Sequence, residues 1–478
     1  MKETTIKQRA HVFTDDVLSD LDGVALAKLI REKELHPSEV VAAAIERAKK
    51  ADQEINAVVT ECYDKAIKTA DQPVKGFFGG IPTFIKDMTF VKGVPTYFGS
   101  EAFSNAKPST KTDPIAKQIF EQGFIHLGNS SMPEFGFTCS TEFPNQKDTC
   151  NPWNTSHTAG GSSGGAAALV AAGVIPIAHS ADGGGSTRIP AACCGLVGLK
   201  PSRGRLLKSS LFDVQLVDIA IDGVITRTVR DTAYFYAEAE KYYKNRKLPS
   251  IGLVEGPSKK KYKIGYTGRG GHGRMGNDVT MKSLEDTVNL LESMGHSVQF
   301  IEVELNKYFE KDFANLWAMN GFFCHKFGKQ LFGSSYQTEK LTKLTRGLSK
   351  YYWDNVLQTP AFIYRLNKSY YDYAKIMSEL GLDIVLMPTL SHPAPKLGHL
   401  GMNLDFDVLF QRMQDWAYTT PFFNANGAPS ISLPLGHDDN NDLPIGMLFS
   451  ANHGQEATLF DLAYQLEAAK PWRKIYME

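Results

Sequence analysis

Apolar side chains recur along the chain at spacings that predict helices and short strands in alternation. In residues 37–52 the apolar positions form one helical face, and Pro37 suits the first turn of a helix. Similar patterns predict helices at residues 22–34, 113–122, 278–294 and 455–469. Strands are predicted at residues 124–127, 262–267, 297–302, 382–387 and 430–433, the last two stopped by proline. Because strands and helices alternate, the sequence favours an α/β fold.

Two segments rich in glycine or charge are predicted to be surface connections. The run GHGRMG at residues 271–276 matches the short pattern of dinucleotide-binding loops. Such a loop must follow its strand at once, whereas Gly268, Arg269 and Gly270 intervene here. A flexible loop is therefore favoured over a dinucleotide site. Residues 241–263, which are rich in lysine, proline and glycine, are also expected to be exposed.

Composition excludes several classes of protein. Hydrophobic residues make up 42% and charged residues 22% of the 478 residues, which is typical of a globular chain. The 52 Lys and Arg balance the 52 Asp and Glu, so no basic surplus supports binding to nucleic acid. The longest apolar run, residues 166–178, is too short to span a membrane, and the first residues carry no apolar leader. Six cysteines in so long a chain do not suggest a disulfide scaffold, and we expect a cytoplasmic protein.

The candidate chemistry is concentrated in residues 160–190, GGSSGGAAALVAAGVIPIAHSADGGGSTRIP. Asp182 is followed by three glycines and Ser186. Consecutive glycines pack no side chain, so this run is either a tight turn or a set of backbone N–H groups that converge on a substrate oxygen. The run GGSSG around Ser162 also matches the nucleophile elbow of α/β-hydrolases, but a loop precedes it where that motif needs a strand. No metal-ligand or phosphate-binding spacing is present, so we expect neither a metal nor a cofactor.

This segment resembles the signature of the amidase signature family, which runs GGSSGG, a small-residue helix and then D-x-GGS-x-R-x-P. Further matching elements are, in chain order, GIPTFIKD at 80–87, LGNSSMPEF at 127–135, NPW at 151–153, GLKP at 198–201, RTVRD at 227–231, MPT at 387–389 and LPIG at 443–446. In the second of them Asn129 and Ser130 replace the usual Lys-Thr pair. The matches imply a single amidase signature domain over residues 1–478, with a core signature at 80–235 and a variable substrate-specificity region at 305–375.

The resemblance implies a fold and a reaction. The expected fold is an α/β amidase signature fold, with a mixed central β-sheet covered by helices on both faces. The expected reaction is hydrolysis of the carbon–nitrogen bond of a small-molecule or short oligomeric amide through an acyl-enzyme. Ser186 is the implied nucleophile, and Ser162, in a cis peptide bond with Gly161, relays its proton to Lys86. Lys86 must be neutral for this role, which burial among apolar neighbours would favour.

The same resemblance assigns roles to residues around this triad. The implied roles are an oxyanion hole at Gly183, Gly184 and Gly185 with the N–H of Ser186, support by Ser163, Asp182 and Arg188, and substrate binding by Thr138, Cys139 and Ser140. Cys139 is not predicted to be a nucleophile, because no base is evident near it in the sequence.

Variant residues narrow the choice within the family. Gly183 stands where the glutaminase component of the tRNA-dependent amidotransferase usually has threonine, and KPSRGR at residues 200–205 replaces the KPTYGR of that component. Both features, with CCG at residues 193–195, resemble the 6-aminohexanoate-cyclic-dimer hydrolase branch. The alternative is a glutaminase that acts in a multi-subunit complex and feeds ammonia to a protein partner. Otherwise only the amide substrate is expected as a partner, although homodimers are common in such enzymes. The aromatic-rich residues 305–375 either pack the core or line an apolar pocket.

Overall fold

The structure is a computed structural model that describes residues 9–73, 75–212, 215–270, 273–302 and 307–477. Within these residues the α-helices are, in chain order, α1 (Gly23–Arg31), α2 (Pro37–Ile55), α3 (Tyr63–Ala70), α4 (Pro114–Glu121), α5 (Gly164–Ala171), α6 (Arg188–Cys194), α7 (Val229–Tyr242), α8 (Asp278–Ser293), α9 (Phe309–Phe332), α10 (Lys343–Asp354), α11 (Thr359–Glu379), α12 (Phe406–Trp416), α13 (Thr420–Asn426) and α14 (Glu456–Ala469). The β-strands are β1 (Val58–Glu61), β2 (Pro82–Lys86), β3 (Ile125–Ser130), β4 (Cys150–Asn151), β5 (Asn154–Thr158), β6 (Ile177–Asp182), β7 (Val197–Lys200), β8 (Ile221–Thr226), β9 (Lys263–Tyr266), β10 (Ser297–Phe300), β11 (Ile384–Pro388), β12 (Ser430–Asp438) and β13 (Leu443–Ala451).

Two β-sheets meet beside strand β6. In the described residues the larger sheet has the strand order β10-β9-β11-β13-β12-β7-β8-β6, and the smaller has the order β1-β3-β2. Strand β9 runs parallel to β10 and β11, whereas the other neighbours in the larger sheet are antiparallel, so the sheet is mixed. Strand β2 lies beside β6, where Thr83 Oγ1 donates to the carbonyl oxygen of Ile177 at 2.9 Å. This contact brings the ends of β2 and β6 together.

Helices cover both faces of the larger sheet. Neighbouring residues of a strand point to opposite faces. A Cβ added to Gly446 in β13 would lie 2.5 Å from the Cβ of Ala192 in α6. A Cβ added to Gly436, the β12 partner of Ile445, would lie 2.4 Å from Ser283 Oγ in α8. Because Ile445 and Gly446 face opposite sides, α6 and α8 pack on different faces, and the predicted mixed central sheet covered by helices on both faces is confirmed.

The predicted helices and strands are all present, with bounds that differ by a few residues. The expectation that a proline stops each of the last two strands is confirmed for β11 and wrong for β12. Pro388 is the final residue of β11, and β12 continues past Pro434 to Asp438. The pairing of β12 with β13 shifts between Leu433 and Gly436, so the missing N–H of Pro434 falls in an irregular part of the ladder.

The predicted connections and the cysteines largely match expectation. Residues 243–262 carry no helix or strand and are mostly exposed. In the glycine-rich run at 271–276, Gly271 and His272 lie outside the described residues. The six cysteines are all free thiols. Among the helices of the described ranges, none is both long and apolar enough to cross a membrane.

Helix α5 explains why the signature segment is rich in small residues. Its eight residues are all buried. A Cβ on Gly164 would lie 2.3 Å from Thr141 Oγ1, and one on Gly165 would lie 2.4 Å from the backbone nitrogen of Ser131. Larger side chains would therefore push the helix away from residues 131–141, and the loop that carries Ser162 would move with it.

Candidate active site

A lysine and a serine meet where the two sheets adjoin. Lys86 is the last residue of β2, and Ser162 lies in the loop before α5. Lys86 Nζ donates to Ser162 Oγ at 2.7 Å and to the carbonyl oxygen of Ala181 in β6 at 3.2 Å. The Gly161–Ser162 peptide bond is cis. A Cβ on Gly136 would lie 2.8 Å from Ser162 Oγ, so a glycine at this position leaves room for the hydroxyl.

The Lys86 amine is prepared to act as a base. Its side chain is fully buried, and this burial lowers the pKa of Lys86 to about 7, although the carboxylates of Asp182 and Asp222 act in the opposite direction. Both carboxylates also have closer partners, Arg188 and His179 respectively. At neutral pH a large fraction of the amine is therefore unprotonated and able to accept a proton from Ser162.

A histidine and a carboxylate that the sequence did not single out support the backbone of Lys86. The N–H of Lys86 donates to His179 Nδ1 at 3.2 Å, so this ring nitrogen carries no proton. His179 Nε2 then donates to Asp222 Oδ1 at 3.0 Å. Asp222 also accepts hydrogen bonds from the hydroxyl and the N–H of Ser209, at 3.0 and 2.9 Å. This buried network orients the end of β2 behind the amine.

The glycine run after β6 presents backbone N–H groups beside Ser186, which is 6% exposed. Among the described residues, the N–H groups of Gly183, Gly184 and Ser186 have no acceptor. The N–H of Gly185, in contrast, donates to Asp182 Oδ1 at 2.7 Å. The expectation that all three glycines supply free donors is therefore corrected: the available donors are those of Gly183, Gly184 and Ser186. Gly185 instead allows the loop to turn, because its φ of +133° favours glycine. A Cβ at this position would also lie 2.3 Å from Thr420 Oγ1.

Asp182 and Arg188 form a buried ion pair beside the glycine run. Arg188 Nε and Nη2 donate to the two oxygens of Asp182, each at 2.9 Å. Burial alone would raise the pKa of Asp182, but the Arg188 guanidinium and a hydrogen bond from Asn424 hold it well below its usual range. Neither side chain of the pair borders the cavities described below. Their supporting role stays a prediction.

Two side chains of helix α13 donate hydrogen bonds to the glycine run and to Asp182. The sequence alone did not identify this helix as part of the site. Asn424 Nδ2 donates to the carbonyl oxygen of Asp182 at 2.8 Å and to its Oδ1 at 2.9 Å. Thr420 Oγ1 donates to the carbonyl oxygen of Gly184 at 2.8 Å. The available signal was the presence of two amide side chains, Asn424 and Asn426, in the partly apolar segment TPFFNAN at residues 420–426.

The remaining predicted residues divide into three kinds. Ser163 links the two serine loops, because its N–H donates to the carbonyl oxygen of Ser186 at 3.2 Å. Thr138 and Cys139 border a cavity at Ser186. Ser140 does not, so its assignment to substrate binding is corrected. Its hydroxyl is buried and donates to Glu142 Oε1 at 2.6 Å, which turns it away from the cavity.

Thiol and metal chemistry find no support in the geometry. Burial raises the pKa of Cys139 to about 12, so its thiol stays protonated at neutral pH. In the described part of the chain, no group of three or more His, Cys, Asp or Glu side chains is arranged to hold a metal ion.

Ser186 borders two cavities. The larger, about 360 Å³, is also bordered by Lys86, Ser162 and Gly183. The smaller, about 100 Å³, is bordered by Thr138, Cys139 and Gly184. Phe137 and Trp317 border both, and Trp317 Nε1 donates to the carbonyl oxygen of Phe137 at 3.1 Å. We call these the larger and the smaller cavity. A substrate held at Ser186 can extend into each of them.

Both interpretations of the aromatic region 305–375 apply, each to different residues. Phe313 and Trp317, one helical turn apart on α9, border the cavities. Tyr352 on α10 packs instead against Phe322, with ring centroids 5.1 Å apart. Residues 305 and 306 lie outside the described residues. The region thus combines a cavity wall with the helical packing that supports it.

Known proteins resemble this chain over nearly all of its length. The family model described as Amidase matches residues 39–460. AmiC of Mycobacterium tuberculosis, a protein named as a putative amidase, is 39% identical over 471 residues, covering 98% of each chain. The 6-aminohexanoate-cyclic-dimer hydrolase of Paenarthrobacter ureafaciens is 30% identical, covering 94% of this chain and 95% of that protein. A solved structure of 6-aminohexanoate cyclic dimer hydrolase has a TM-score of 0.86 at 26% identity, covering 97% of this chain and 99% of the other. With the fold and the signature segment, these matches show that the chain belongs to the amidase family and is an amide hydrolase.

Proposed function

We propose that this protein hydrolyses small-molecule or short oligomeric amides through a Ser186–Ser162–Lys86 relay and an acyl-enzyme. The observation that carries the proposal is the contact of 2.7 Å between a fully buried Lys86 amine and Ser162 Oγ. A lysine with its pKa near 7 in this position is suited to general-base work. The similarity to a 6-aminohexanoate-cyclic-dimer hydrolase supports a small or oligomeric amide as substrate.

In the acylation step Ser186 attacks the amide, and a proton is relayed from Ser186 towards Lys86. Ser186 Oγ forms a bond to the amide carbon, its proton passes to Ser162, and the proton of Ser162 passes to neutral Lys86. The negative charge that develops on the amide oxygen is stabilised by the N–H groups of Gly183, Gly184 and Ser186. These donors have no other acceptor among the described residues, so they lose no hydrogen bond in this step.

The carbon–nitrogen bond then breaks, and the relay supplies a proton to the leaving nitrogen. Protonated Lys86 returns its proton to Ser162 as Ser162 donates its own to the leaving nitrogen, which departs as a neutral amine. Water attacks the ester of Ser186 and gives its proton to the same relay. The acid is released when Ser186 recovers its proton, so the second half of the cycle reverses the first.

The alternative, a glutaminase within a larger complex, is disfavoured by the walls of the site. A free glutamine carries a carboxylate and an ammonium group, which need charged partners when they are buried. Among the described residues that border the two cavities, Lys86 and Glu310 carry ionisable ammonium or carboxylate groups, and none is an arginine. Arg203, in the variant KPSRGR, donates instead to the carbonyl oxygens of Asn424 and Ala425. These walls favour a less polar amide and activity of the isolated chain.

A fluorophosphonate probe tests the relay. The purified chain is labelled, digested and mapped by mass spectrometry, beside Lys86→Ala, Ser162→Ala and Ser186→Ala. We expect the label on Ser186, with labelling slowed at least about 100-fold in Lys86→Ala because the base is lost. The exposed Lys92 provides the matched control Lys92→Ala, which should label at the normal rate. Label on Ser162 in the unaltered chain, or normal labelling and amide turnover in Lys86→Ala, would refute the proposed relay.

A further inference from the structure

The two cavities at Ser186 have different access to the proton donor, and this decides how a substrate lies. If the proposed relay is correct, the leaving nitrogen must be next to Ser162 Oγ, since that hydroxyl protonates it. Ser162 and Lys86 border the larger cavity and not the smaller. The amine side of the substrate therefore extends into the larger cavity, and the acyl side passes Thr138 and Gly184 into the smaller one.

The larger cavity is suited to an apolar group. Much of its wall consists of apolar side chains, which include Phe135, Leu211, Phe212, Ile219, Met319 and Phe332. Among the described residues of this wall, the polar side chains apart from the relay residues are Gln215 and Asn320, and neither is charged. A charged amine placed here would lose its water without gaining a carboxylate partner among the described residues of the wall. At about 360 Å³ the cavity is also more than three times the volume of its neighbour.

The mouth of the larger cavity is apolar as well. Leu216, Phe323 and Leu331 border the cavity, yet they are 58%, 40% and 52% exposed to solvent. Phe327, which is 44% exposed, continues this surface beside Phe323, with ring centroids 5.9 Å apart. Exposed apolar surface that continues into a cavity is typical of the path of an apolar ligand.

We propose that the preferred substrates are amides of uncharged, apolar amines, with a long alkyl or aryl group on nitrogen that fills the larger cavity. The acyl group, confined to the smaller cavity, is short. This inference rests on the proposed relay, because the relay assigns the nitrogen to the side of Ser162. It names the part of the substrate that the enzyme selects, and it assigns this selection to the amine and not to the acid.

Two matched substrate series test the assignment. The first series keeps the acetyl group and lengthens the amine from methylamine to octylamine. The second keeps ammonia as the leaving group and lengthens the acid from acetic to octanoic. We expect kcat/KM in the amine series to rise about threefold to fourfold for each buried methylene, and to rise little in the acid series. An acetyl amide whose alkylamine ends in an ammonium group should be at least about tenfold poorer than its uncharged counterpart.

A variant at the mouth of the larger cavity, compared with a matched control, tests whether this preference depends on that cavity. Leu331→Glu places a charge at the mouth on an exposed side chain, so the fold should persist. We expect at least about a fivefold loss in kcat/KM for acetyl hexylamide relative to acetamide. Leu357, 94% exposed and absent from the cavity walls, provides the control Leu357→Glu, which should leave this ratio unchanged.

The outcomes separate this inference from the proposed relay. If Ser186 is labelled and small amides are hydrolysed, but kcat/KM rises with the acid and Leu331→Glu penalises the long acids, the orientation is reversed and the inference is overturned. Equal rates throughout the amine series also overturn it. If Ser186 is not labelled and neither series is hydrolysed, the relay itself has failed, and the inference fails with it.

Discussion

Lys86 should give amide hydrolysis an acid limb with a midpoint near pH 7. The amine can accept a proton only in its neutral form, and burial lowers the pKa of Lys86 to about 7 from its ordinary value of 10.5. This change corresponds to about 5 kcal/mol of preference for the neutral amine. At pH 7 about half of the molecules then have a usable base, whereas an exposed lysine would be neutral in about one molecule in 3,000. The lowered pKa thus increases the fraction of usable base at pH 7 by about a thousandfold.

The sign of the electrostatic contribution can be tested by removing one carboxylate. Asp222 raises the pKa of Lys86, so Asp222→Asn should lower this pKa further and move the acid limb to lower pH. The amide oxygen of asparagine can still accept the hydrogen bond from His179 Nε2, which preserves the support behind β2. We expect a displacement of up to about one pH unit, equivalent to about 1.4 kcal/mol. Asp286, whose carboxylate pairs with Lys282 on the surface, provides the control Asp286→Asn.

The assay is kcat/KM for one chromogenic anilide between pH 5.5 and pH 9 at constant ionic strength. Labelling of Ser186 by the fluorophosphonate is followed over the same range, since it reports the base without the leaving-group step. Below the midpoint both rates should fall about tenfold for each pH unit, because one proton inactivates the base. A flat profile between pH 6 and pH 8 in the unaltered enzyme, or a limb that Asp222→Asn moves to higher pH, would refute the reasoning.

Three further predictions concern the fold around the site. Gly185→Ala should lower the free energy of unfolding by roughly 2–5 kcal/mol, because φ is +133° there and a Cβ would meet Thr420 Oγ1 at 2.3 Å; urea denaturation measures the loss, and an unchanged midpoint would contradict the strain. Asp182→Asn should cost about 3–5 kcal/mol, since it leaves the fully buried Arg188 without its carboxylate, and calorimetry should show a lower Tm. Lys86→Met should abolish amide turnover yet stabilise the protein. The folded-state pKa of Lys86 lies below its unfolded value, so the cost of burying the ammonium is fully present below pH 7, and this cost disappears as pH rises towards 10.5. The gain in stability should therefore shrink between pH 7 and pH 10, and a gain independent of pH would show that burial of the amine is not its source.

The candidate triad could be named from the sequence because the family resemblance assigns roles to Lys86, Ser162 and Ser186, although Lys86 lies 76 positions from Ser162. Lys86 ends a short apolar element, and Ser162 and Ser186 lie in one segment, residues 160–190, whose spacing follows the family signature. The elements that present them obey short-range rules, in which apolar periodicity sets the helices and strands and glycine sets the turns. Where a role depends on residue type and nearby spacing, a single sequence is sufficient to name the candidate.

Roles that depend on distant contacts could not be predicted. Asn424 lies 242 positions from Asp182, and Thr420 lies 236 positions from Gly184, so no spacing in the sequence connects them. The hydrogen bond from the Gly185 N–H to Asp182 depends on the backbone conformation of the loop. A run of glycines allows many such conformations, so the sequence does not predict this bond. The same holds for Ser140, whose hydroxyl direction is set by Glu142 and not by its place in the motif.

The small residues of the signature segment also bear on the pKa of Lys86. Lys86 is a useful base because water is excluded from its amine, and exclusion requires that β2, β6 and the Ser162 loop pack closely around it. Helix α5 permits that packing, since a Cβ on Gly164 would lie 2.3 Å from Thr141 Oγ1 and one on Gly165 would lie 2.4 Å from the Ser131 nitrogen. A larger side chain in α5 would loosen the wall, hydrate the amine and raise the pKa of Lys86 back towards its ordinary value. If the proposed relay is correct, the glycines and alanines of α5 contribute to catalysis by excluding water from the Lys86 amine.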